Sequence, residues 1–275
     1  MKHFKSSSGD LRRLFERAIT IREIAEPLVS FDTDHAAEAI RACMEERNFD
    51  VVGLRQGGRV VGYLRRNDLT HGSVTDCLTR FQAGEMLAEH EPLSAAVQAL
   101  RNQTQLFITV RGKVGRIVTK GDLQKIPVRL WLFGLISLIE MQMLRLIRQR
   151  FPGGAWGSLL SPARVEAAKK VFALRQTQNR EADASDFSDC LQICDKAAIM
   201  LKDSELFALS QFPSRVAGRS FFSHLESLRN DLAHSNDILK GRWPALAELA
   251  VQCENLLTWL EAGRVRLPEF GGNGR

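Results

Sequence analysis

The stretch VGYLRRNDL at residues 61–69 recurs as GRIVTKGDL at residues 115–123, which lies 54 positions further along the chain. In both copies a hydrophobic run leads into a polar segment that ends in Asp-Leu, at Asp68 and at Asp122. A helical pattern, a strand pattern and a turn precede each copy in the same order. This self-similarity indicates an internal duplication, in which two units bury a shared face.

The periodicity around each copy predicts a mixed α and β unit. For the first copy we expect a helix over residues 32–46, strands over 49–54 and 60–64 and a turn at 56–58. The apolar face of that helix comprises Ala36, Ala39, Ile40, Cys43 and Met44. For the second copy we expect a helix over residues 92–100 and strands over 106–110 and 114–119. The polar ends at residues 67–69 and 121–123 are expected to open short helices.

From Pro127 onward the pattern is helical without strands. We expect helices over residues 127–150, 162–175, 186–202, 214–234 and 243–262, with a loop at 176–185. Five such helices predict a bundle. The chain is therefore expected to be α+β, with an N-terminal tail or helix (1–19), a repeat region (20–126), a helical bundle (127–265) and a flexible tail (266–275).

Composition narrows the classes of function. The net charge of +6 favours an acidic partner such as nucleic acid. Five scattered cysteines and the absence of paired Cys-x-x-Cys motifs argue against a disulfide framework or a zinc site. The start of the chain has no signal peptide, and the apolar run at residues 130–139 is interrupted by Glu140. We therefore expect a cytoplasmic protein with no membrane partner, in which this run is a buried helix.

The tandem at residues 20–126 resembles a CBS-domain pair, because a hydrophobic strand runs into Thr-x-x-Asp-Leu in the expected strand and helix order. The resemblance implies a cleft that binds an adenine nucleotide (ATP, ADP or AMP) as a regulatory ligand. In that family the Asp binds the ribose hydroxyls and the Thr or Ser contacts phosphate. Thr119 and Asp122 match this pattern, whereas the first copy has Asp68 but carries Arg65 in place of the Thr. Arg is itself a strong phosphate ligand. Two alternatives stay open: the Asp residues cap short helices, or the pair is only a dimer interface.

The sequence LRNDLAH at residues 228–234 lies near the end of an amphipathic helix. Asn230 and His234 are four residues apart and share a face, and the long side chain of Arg229 can swing across it. Arg is a permanent cation that holds phosphate, and His moves protons near neutral pH. These groups suit phosphodiester cleavage in RNA without a metal. The alternative is that the three residues form only salt bridges or a helix cap.

A helical bundle with Arg-x4-His on its penultimate helix resembles the HEPN superfamily. The resemblance implies a metal-independent ribonuclease, active as a homodimer or higher homo-oligomer in which two motifs face each other. Arg229 would stabilise the pentacoordinate phosphorane, His234 would transfer a proton, and Asn230 would orient His234 or bind the phosphate. The products would be a 2′,3′-cyclic phosphate and a 5′-hydroxyl. No cofactor is expected for catalysis.

These features combine into one hypothesis and one rival. The hypothesis is an endoribonuclease that is regulated by an adenine nucleotide and acts in stress response or defence. The rival is a non-catalytic, nucleotide-sensing protein whose bundle only binds RNA or protein. Asp189, Asp195 and Lys196 are candidate supporting groups, for which a solvated face is the simpler interpretation. Five other histidines have no partner at a convincing spacing: His3, His35, His71, His90 and His224.

Overall fold

The computed structural model describes residues 12, 13, 15, 17–69, 73–178, 186–234, 236–238 and 243–263. The chain divides into two compact units. The repeat unit spans residues 14–131, and the helical unit contains the described residues of 1–13 and 132–275. The expected tail at 266–275, most of the expected loop at 176–185, His3 and His71 lie outside the described residues.

The repeat unit contains two sheets, one for each copy of the repeat. In the first sheet β2 lies parallel to β3, and β3 is antiparallel to β4. In the second, β5 is parallel to β6, β6 is antiparallel to β7, and β1 pairs with the free edge of β7. The strands are β1 (Glu26–Pro27), β2 (Ser30–Asp32), β3 (Val51–Gln56), β4 (Arg59–Arg65), β5 (Met86–Ala88), β6 (Gln105–Val110) and β7 (Lys113–Thr119). The helices are α1 (Ala37–Glu46) and α2 (Leu93–Ala99), with 3-10 turns at Ile21–Glu23, Arg66–Asp68, Ala83–Glu85 and Lys120–Gln124.

The duplication is exact in the backbone of the two hairpins. Strands β6 and β7 begin and end 54 residues after β3 and β4. Each hairpin has a register shift at the matched place, between Leu54 and Arg55 and between Ile108 and Thr109. The shared face predicted from the sequence is present, because the rings of Tyr63 and Phe107 pack with centroids 4.6 Å apart.

The expectation of a helix from Asp32 is wrong. Asp32 ends β2, where its carboxylate accepts two hydrogen bonds from Arg55 on the neighbouring strand. Helix α1 therefore begins only at Ala37, and its buried residues include Ala37, Ile40 and Met44, whereas Ala36 and Ala39 are exposed. The short strands β1, β2 and β5 were not expected, because two or three residues are too few to show an alternating pattern.

Helix α3 (Ile126–Arg150) contains the division between the two units. Among the described residues it is the one helix long and apolar enough to cross a membrane, but 61% of its most apolar window is buried inside the protein. Buried core helices can be equally long and apolar, so length and composition alone are weak evidence for a membrane span. The burial agrees with the expected buried helix.

The helical unit continues with five further α-helices in the described part of the chain: α4 (Pro162–Gln178), α5 (Ile193–Lys202), α6 (Ser204–Ser210), α7 (Arg215–Ala233) and α8 (Trp243–Ala262). The expected helix over residues 186–202 is wrong. Asp186 caps a short 3-10 helix at Phe187–Cys190, and a capping box between Gln192 and Asp195 starts α5 as a separate helix. Helix α6 was not expected.

Helices α7 and α8 lie where the sequence places them. The Ser214 hydroxyl accepts a hydrogen bond from the Ala217 N–H and so caps α7. The expected inward residues of α7 include Phe221, Phe222, Leu225 and Leu228, all of which are buried. One face of α7 is thereby fixed in the core, which leaves the polar residues near its C-terminal end on the opposite, accessible side.

Candidate functional site

A pocket of about 870 Å³ opens between the two copies of the repeat. The first copy contributes Asn48 to Val51 and Arg65 to Asp68, and the second contributes residues that include Thr104, Thr119 and Asp122. All four residues predicted to bind a nucleotide, Arg65, Asp68, Thr119 and Asp122, therefore line this pocket. Separate parts of the sequence thus meet in one cleft, where the duplicated Asp-Leu ends lie.

Asp122 is held by its own polypeptide segment. Its Oδ2 accepts hydrogen bonds from the Thr119 N–H (2.7 Å) and the Thr119 hydroxyl (3.0 Å). The Asp122 backbone N–H in turn donates to the Thr119 side chain, so the two residues form a capping box. Its Oδ1 lies 2.8 Å from the Lys125 ammonium. The capping alternative therefore holds for Asp122, although the side chain also lines the pocket.

Lys125 fastens this segment to the rest of the second sheet. Its ammonium contacts Asp122, donates to the Ile24 carbonyl (2.6 Å) and pairs with Glu26. Burial alone would lower the pKa of Lys125, but the hydrogen bonds that its ammonium donates to Asp122 and Glu26 outweigh burial and raise the pKa above its ordinary value. Lys125 thus stays charged beside the Asp122 carboxylate at the pocket wall.

The first copy presents its matched residues differently. Arg65 is exposed, but its guanidinium donates to the Tyr63 hydroxyl (3.0 Å) and lies 5.3 Å from the centre of the Tyr63 ring. Tyr63 is buried and donates to Glu85 (3.2 Å), and burial followed by the Glu85 charge raises its pKa. Asp68 is exposed, and its carboxylate has no hydrogen bond or ion pair among the described residues. The open Asp68 carboxylate is therefore available to a ligand.

Two further cations line the pocket and were not selected from the sequence. Arg66 pairs with Asp50 (2.6 Å), and Lys120 occupies the matched position in the second copy. The alignment of the two copies contains this signal, because residues 66 and 120 are both basic. Together with Arg65 they give the cleft three cationic groups suited to phosphate.

Arg229, Asn230 and His234 lie exposed at the end of α7. The Arg229 guanidinium donates to the Asn230 side-chain oxygen (3.3 Å). His234 caps the helix through its backbone N–H, which donates to the Asn230 carbonyl (3.1 Å). Within the described part of the chain, none of the three side chains forms an ion pair. The guanidinium and the imidazole are thus accessible to a ligand from solvent.

Arg229 also lines a second pocket, of about 400 Å³, in the helical unit. Lys196 lines it as well, and its ammonium pairs with Glu140 (2.8 Å). The expectation of a solvated face is wrong for Lys196 and Asp195, which are 8% and 3% exposed. Asp195 is buried because it closes the α5 capping box and accepts two hydrogen bonds from Arg164.

The described residues contain no group of three or more His, Cys, Asp or Glu side chains that could hold a metal ion. Some acidic groups around the two pockets pair instead with basic groups, as Asp189 does with Arg148 at 2.6 Å.

No family model matches this chain, and no curated protein matches it. Several solved structures resemble part of it. A conserved protein from Pyrococcus horikoshii is 19% identical with a TM-score of 0.35, and the match covers 39% of this chain and 91% of that one. The protein CBSX2 in complex with AMP is 16% identical with a TM-score of 0.36, covering 41% and 98%. The CBS domain of a bacterial CNNM/CorC family Mg²⁺ transporter in complex with ATP is 16% identical with a TM-score of 0.34, covering 42% and 91%. Each likeness concerns about two fifths of this chain.

Proposed function

We propose that this protein is a metal-independent endoribonuclease whose activity is controlled by an adenine nucleotide in the repeat unit. The observation that carries the catalytic part is the exposed trio of Arg229, Asn230 and His234, whose side chains form no ion pair among the described residues. A guanidinium and an imidazole at one helix end supply charge stabilisation and proton transfer, the two functions that cleavage of a phosphodiester needs.

The reaction is an attack of the ribose 2′-oxygen on the neighbouring phosphorus. His234 takes the 2′-hydroxyl proton and returns a proton to the leaving 5′-oxygen, which becomes the product 5′-hydroxyl. The new bond joins the 2′-oxygen to phosphorus, and the bond from phosphorus to the 5′-oxygen breaks. Arg229 stabilises the negative charge on the phosphorane, and a second Arg229 from another copy of the chain completes the clamp. Asn230, which already accepts from Arg229, holds the guanidinium in place.

The regulatory part of the proposal rests on the pocket of the repeat unit. Its volume of about 870 Å³ lies within the range of small-molecule sites, about 300–1,000 Å³. Asp68 and Asp122 would accept hydrogen bonds from the ribose hydroxyls, while Arg65 and Lys120 would contact phosphates. Structures that resemble this chain were solved with AMP and ATP. Binding of such a ligand would change the fraction of molecules in which the trios of two chains face each other.

The second candidate is a nucleotide-sensing protein whose helical unit binds RNA or another protein without cutting it. Two observations favour it. One chain presents a single trio, in which Arg229 already donates to Asn230. The His234 ring has no hydrogen bond among the described residues. A proton-transfer group is usually oriented by a third group, and none orients this ring here.

One assay separates the two candidates. RNA is incubated with the wild-type protein, with His234→Ala and with His224→Ala, which removes another exposed histidine of α7. All reactions contain chelator, with and without ATP, ADP or AMP. We expect fragments with 2′,3′-cyclic phosphate ends from the wild type and from His224→Ala, and none from His234→Ala. Intact RNA under every condition supports the non-catalytic candidate.

A further inference from the structure

The pocket beside Arg229 is enclosed by several elements of the helical unit. Helix α3 contributes Glu140, α4 contributes Arg175, α5 contributes Lys196, and α7 contributes Glu226 and Arg229. Its volume of about 400 Å³ is enough for a nucleotide-sized group. The lining is mainly polar, without an aromatic ring among its described residues, so the pocket suits a charged group better than a stacked base.

Lys196 gives the pocket a buried cation. Its side chain is 9% exposed, and its one hydrogen bond among the described residues goes to Glu140 at 2.8 Å. An ammonium has three donor hydrogens, so two remain for a ligand in the pocket. A buried charge is costly unless its hydrogen-bonding capacity is used. An anion in the pocket would use that capacity.

The other charged groups of the lining leave donors in excess. Glu140 is bound by Lys196, and Asp189 is bound by Arg148 from outside the lining. Arg175 donates one hydrogen bond to the main-chain carbonyl of Asp189 (3.1 Å), although a guanidinium carries five donors. Glu226 is the one carboxylate of the lining without an ion pair within 4.0 Å among the described residues.

We infer that this pocket binds a second phosphate of the RNA strand, the one that neighbours the phosphate held by Arg229. The inference rests on the proposed function, and it defines the substrate as a strand with at least two phosphates at the site. Arg229 lies at both places, since it belongs to the exposed trio and also lines the pocket. Lys196 and Arg175 contact the second phosphate, and the strand enters the pocket past Arg229.

The test measures binding and cleavage separately. Binding of a fluorescent RNA is measured in the His234→Ala background, so that the RNA stays intact. Lys196→Met is combined there with Glu140→Gln, because removing the ammonium alone would leave a buried carboxylate without its partner. Arg175→Met tests the pocket without touching that pair, and Lys170→Met replaces an exposed lysine of the same helix that does not line the pocket. Thermal unfolding checks the fold of each variant.

We expect Arg175→Met and the double variant each to weaken RNA binding about tenfold, and Lys170→Met to leave it unchanged. Each lost phosphate contact should also reduce the slope of log K against log salt by about 0.7, the value for single strands. In the wild type, a dinucleotide that carries an additional terminal phosphate should have a lower KM than the same dinucleotide with only the scissile phosphate. The pocket variants should abolish that difference while kcat stays the same.

The outcomes distinguish this inference from the proposed function. If binding, salt slope and the effect of the additional phosphate are the same in the pocket variants as in Lys170→Met, the second phosphate site does not exist, even if the protein cuts RNA. If the pocket variants weaken binding but the wild type cuts no RNA, the phosphate site is supported and the catalytic proposal fails.

Discussion

The pocket of the repeat unit and the trio at the end of α7 differ in how much of each site one chain provides. The pocket has walls from both copies, and some of its side chains have fixed partners, as Arg65 has in Tyr63 and Asp122 has in Thr119 and Lys125. The trio is exposed, and among the described residues its one contact between side chains joins Arg229 to its neighbour Asn230. These pocket side chains are preorganised, whereas under the proposed function the trio would be ordered by RNA or by a second chain. Part of the binding free energy at the trio is therefore spent on ordering side chains.

The two copies within the pocket differ in a related way. Their backbones repeat at 54 residues, but only the second copy has a hydroxyl at the position that can close a capping box with its Asp. Asp122 is consequently 9% exposed and bound on both oxygens, whereas Asp68 is exposed. Equivalent residues in a duplicated sequence thus differ in structural role, because Asp122 belongs to a capping box and Asp68 does not.

The largest effect is expected when the trio is broken and the pocket is left intact. Arg229→Ala should lower the cleavage rate about 10²- to 10³-fold, since it removes the group that stabilises the developing charge. Arg229→Lys should recover only part of that loss, because Lys cannot form the bidentate contact. Single-turnover cleavage in chelator measures the rates. The thermal shift with AMP or ATP serves as the control and should be unchanged, because Arg229 lies outside the pocket of the repeat unit.

Stability should distinguish the two Asp residues. Asp122→Ala removes a helix cap and the partner of Lys125, so we expect the free energy of unfolding to fall by about 1–3 kcal/mol. Asp68→Ala removes no contact among the described residues and should change it by less than about 0.5 kcal/mol. Urea denaturation gives both values. Equal losses would show that the capping box of the second copy contributes nothing to folding.

Making the first copy resemble the second should change which ligands bind. Arg65→Thr removes a cation from the pocket, so the affinity for ATP should fall about tenfold while the affinity for adenosine stays nearly the same. Arg59→Thr, at the far end of the same strand and outside the pocket lining, is the matched control. Isothermal titration provides the affinities. A parallel loss for adenosine and ATP would argue that Arg65 supports the wall and does not contact phosphate.

A small effect that depends on pH is expected at Asp186, a residue that belongs to neither site. The hydrogen bonds from Ser188 and the charge of Arg148 outweigh burial and lower the pKa of Asp186 below its ordinary value of 3.8. A lowered folded pKa contributes stability above the unfolded value and loses it as the pH falls through the folded one. Asp186→Asn should therefore destabilise the protein at pH 7, by less than about 1 kcal/mol because Asp186 is half-exposed. Denaturation midpoints should converge with those of the wild type as the pH falls below 3.8.

Much of the repeat unit was predictable because its signals are local and occur twice. The hairpins follow from alternation and turn residues, and the alignment of residues 61–69 with 115–123 places the four pocket residues in equivalent positions. The start of α1 was not predictable, because the choice between strand and helix at Asp32 depends on Arg55, a residue on another strand. The break between Cys190 and Ile193 likewise depends on capping by Gln192 and Asp195, which competes with the apolar periodicity.

The polar interior of the helical unit was the hardest part to predict. The residues four positions before and after Lys196 are Gln192 and Met200, so no opposite charge on the same helix face pairs with it. From the sequence alone, such a lysine is expected to face solvent. Its burial depends on Glu140, which lies 56 residues earlier on another helix. In contrast, the exposure of Arg229, Asn230 and His234 could be predicted from the pattern of α7 alone, because the buried face of that helix determines where its polar face lies.

The most direct measurement of the central claim is the rate of RNA cleavage in chelator as a function of AMP, ADP and ATP concentration. It compares the wild type with Asp68→Ala and with His234→Ala. We expect that one of the nucleotides changes the wild-type rate in a saturable way, that Asp68→Ala shifts this response to higher concentration, and that His234→Ala does not cut RNA. Cleavage that persists in His234→Ala, or a wild-type rate that is the same at every concentration of all three nucleotides, would contradict the central claim.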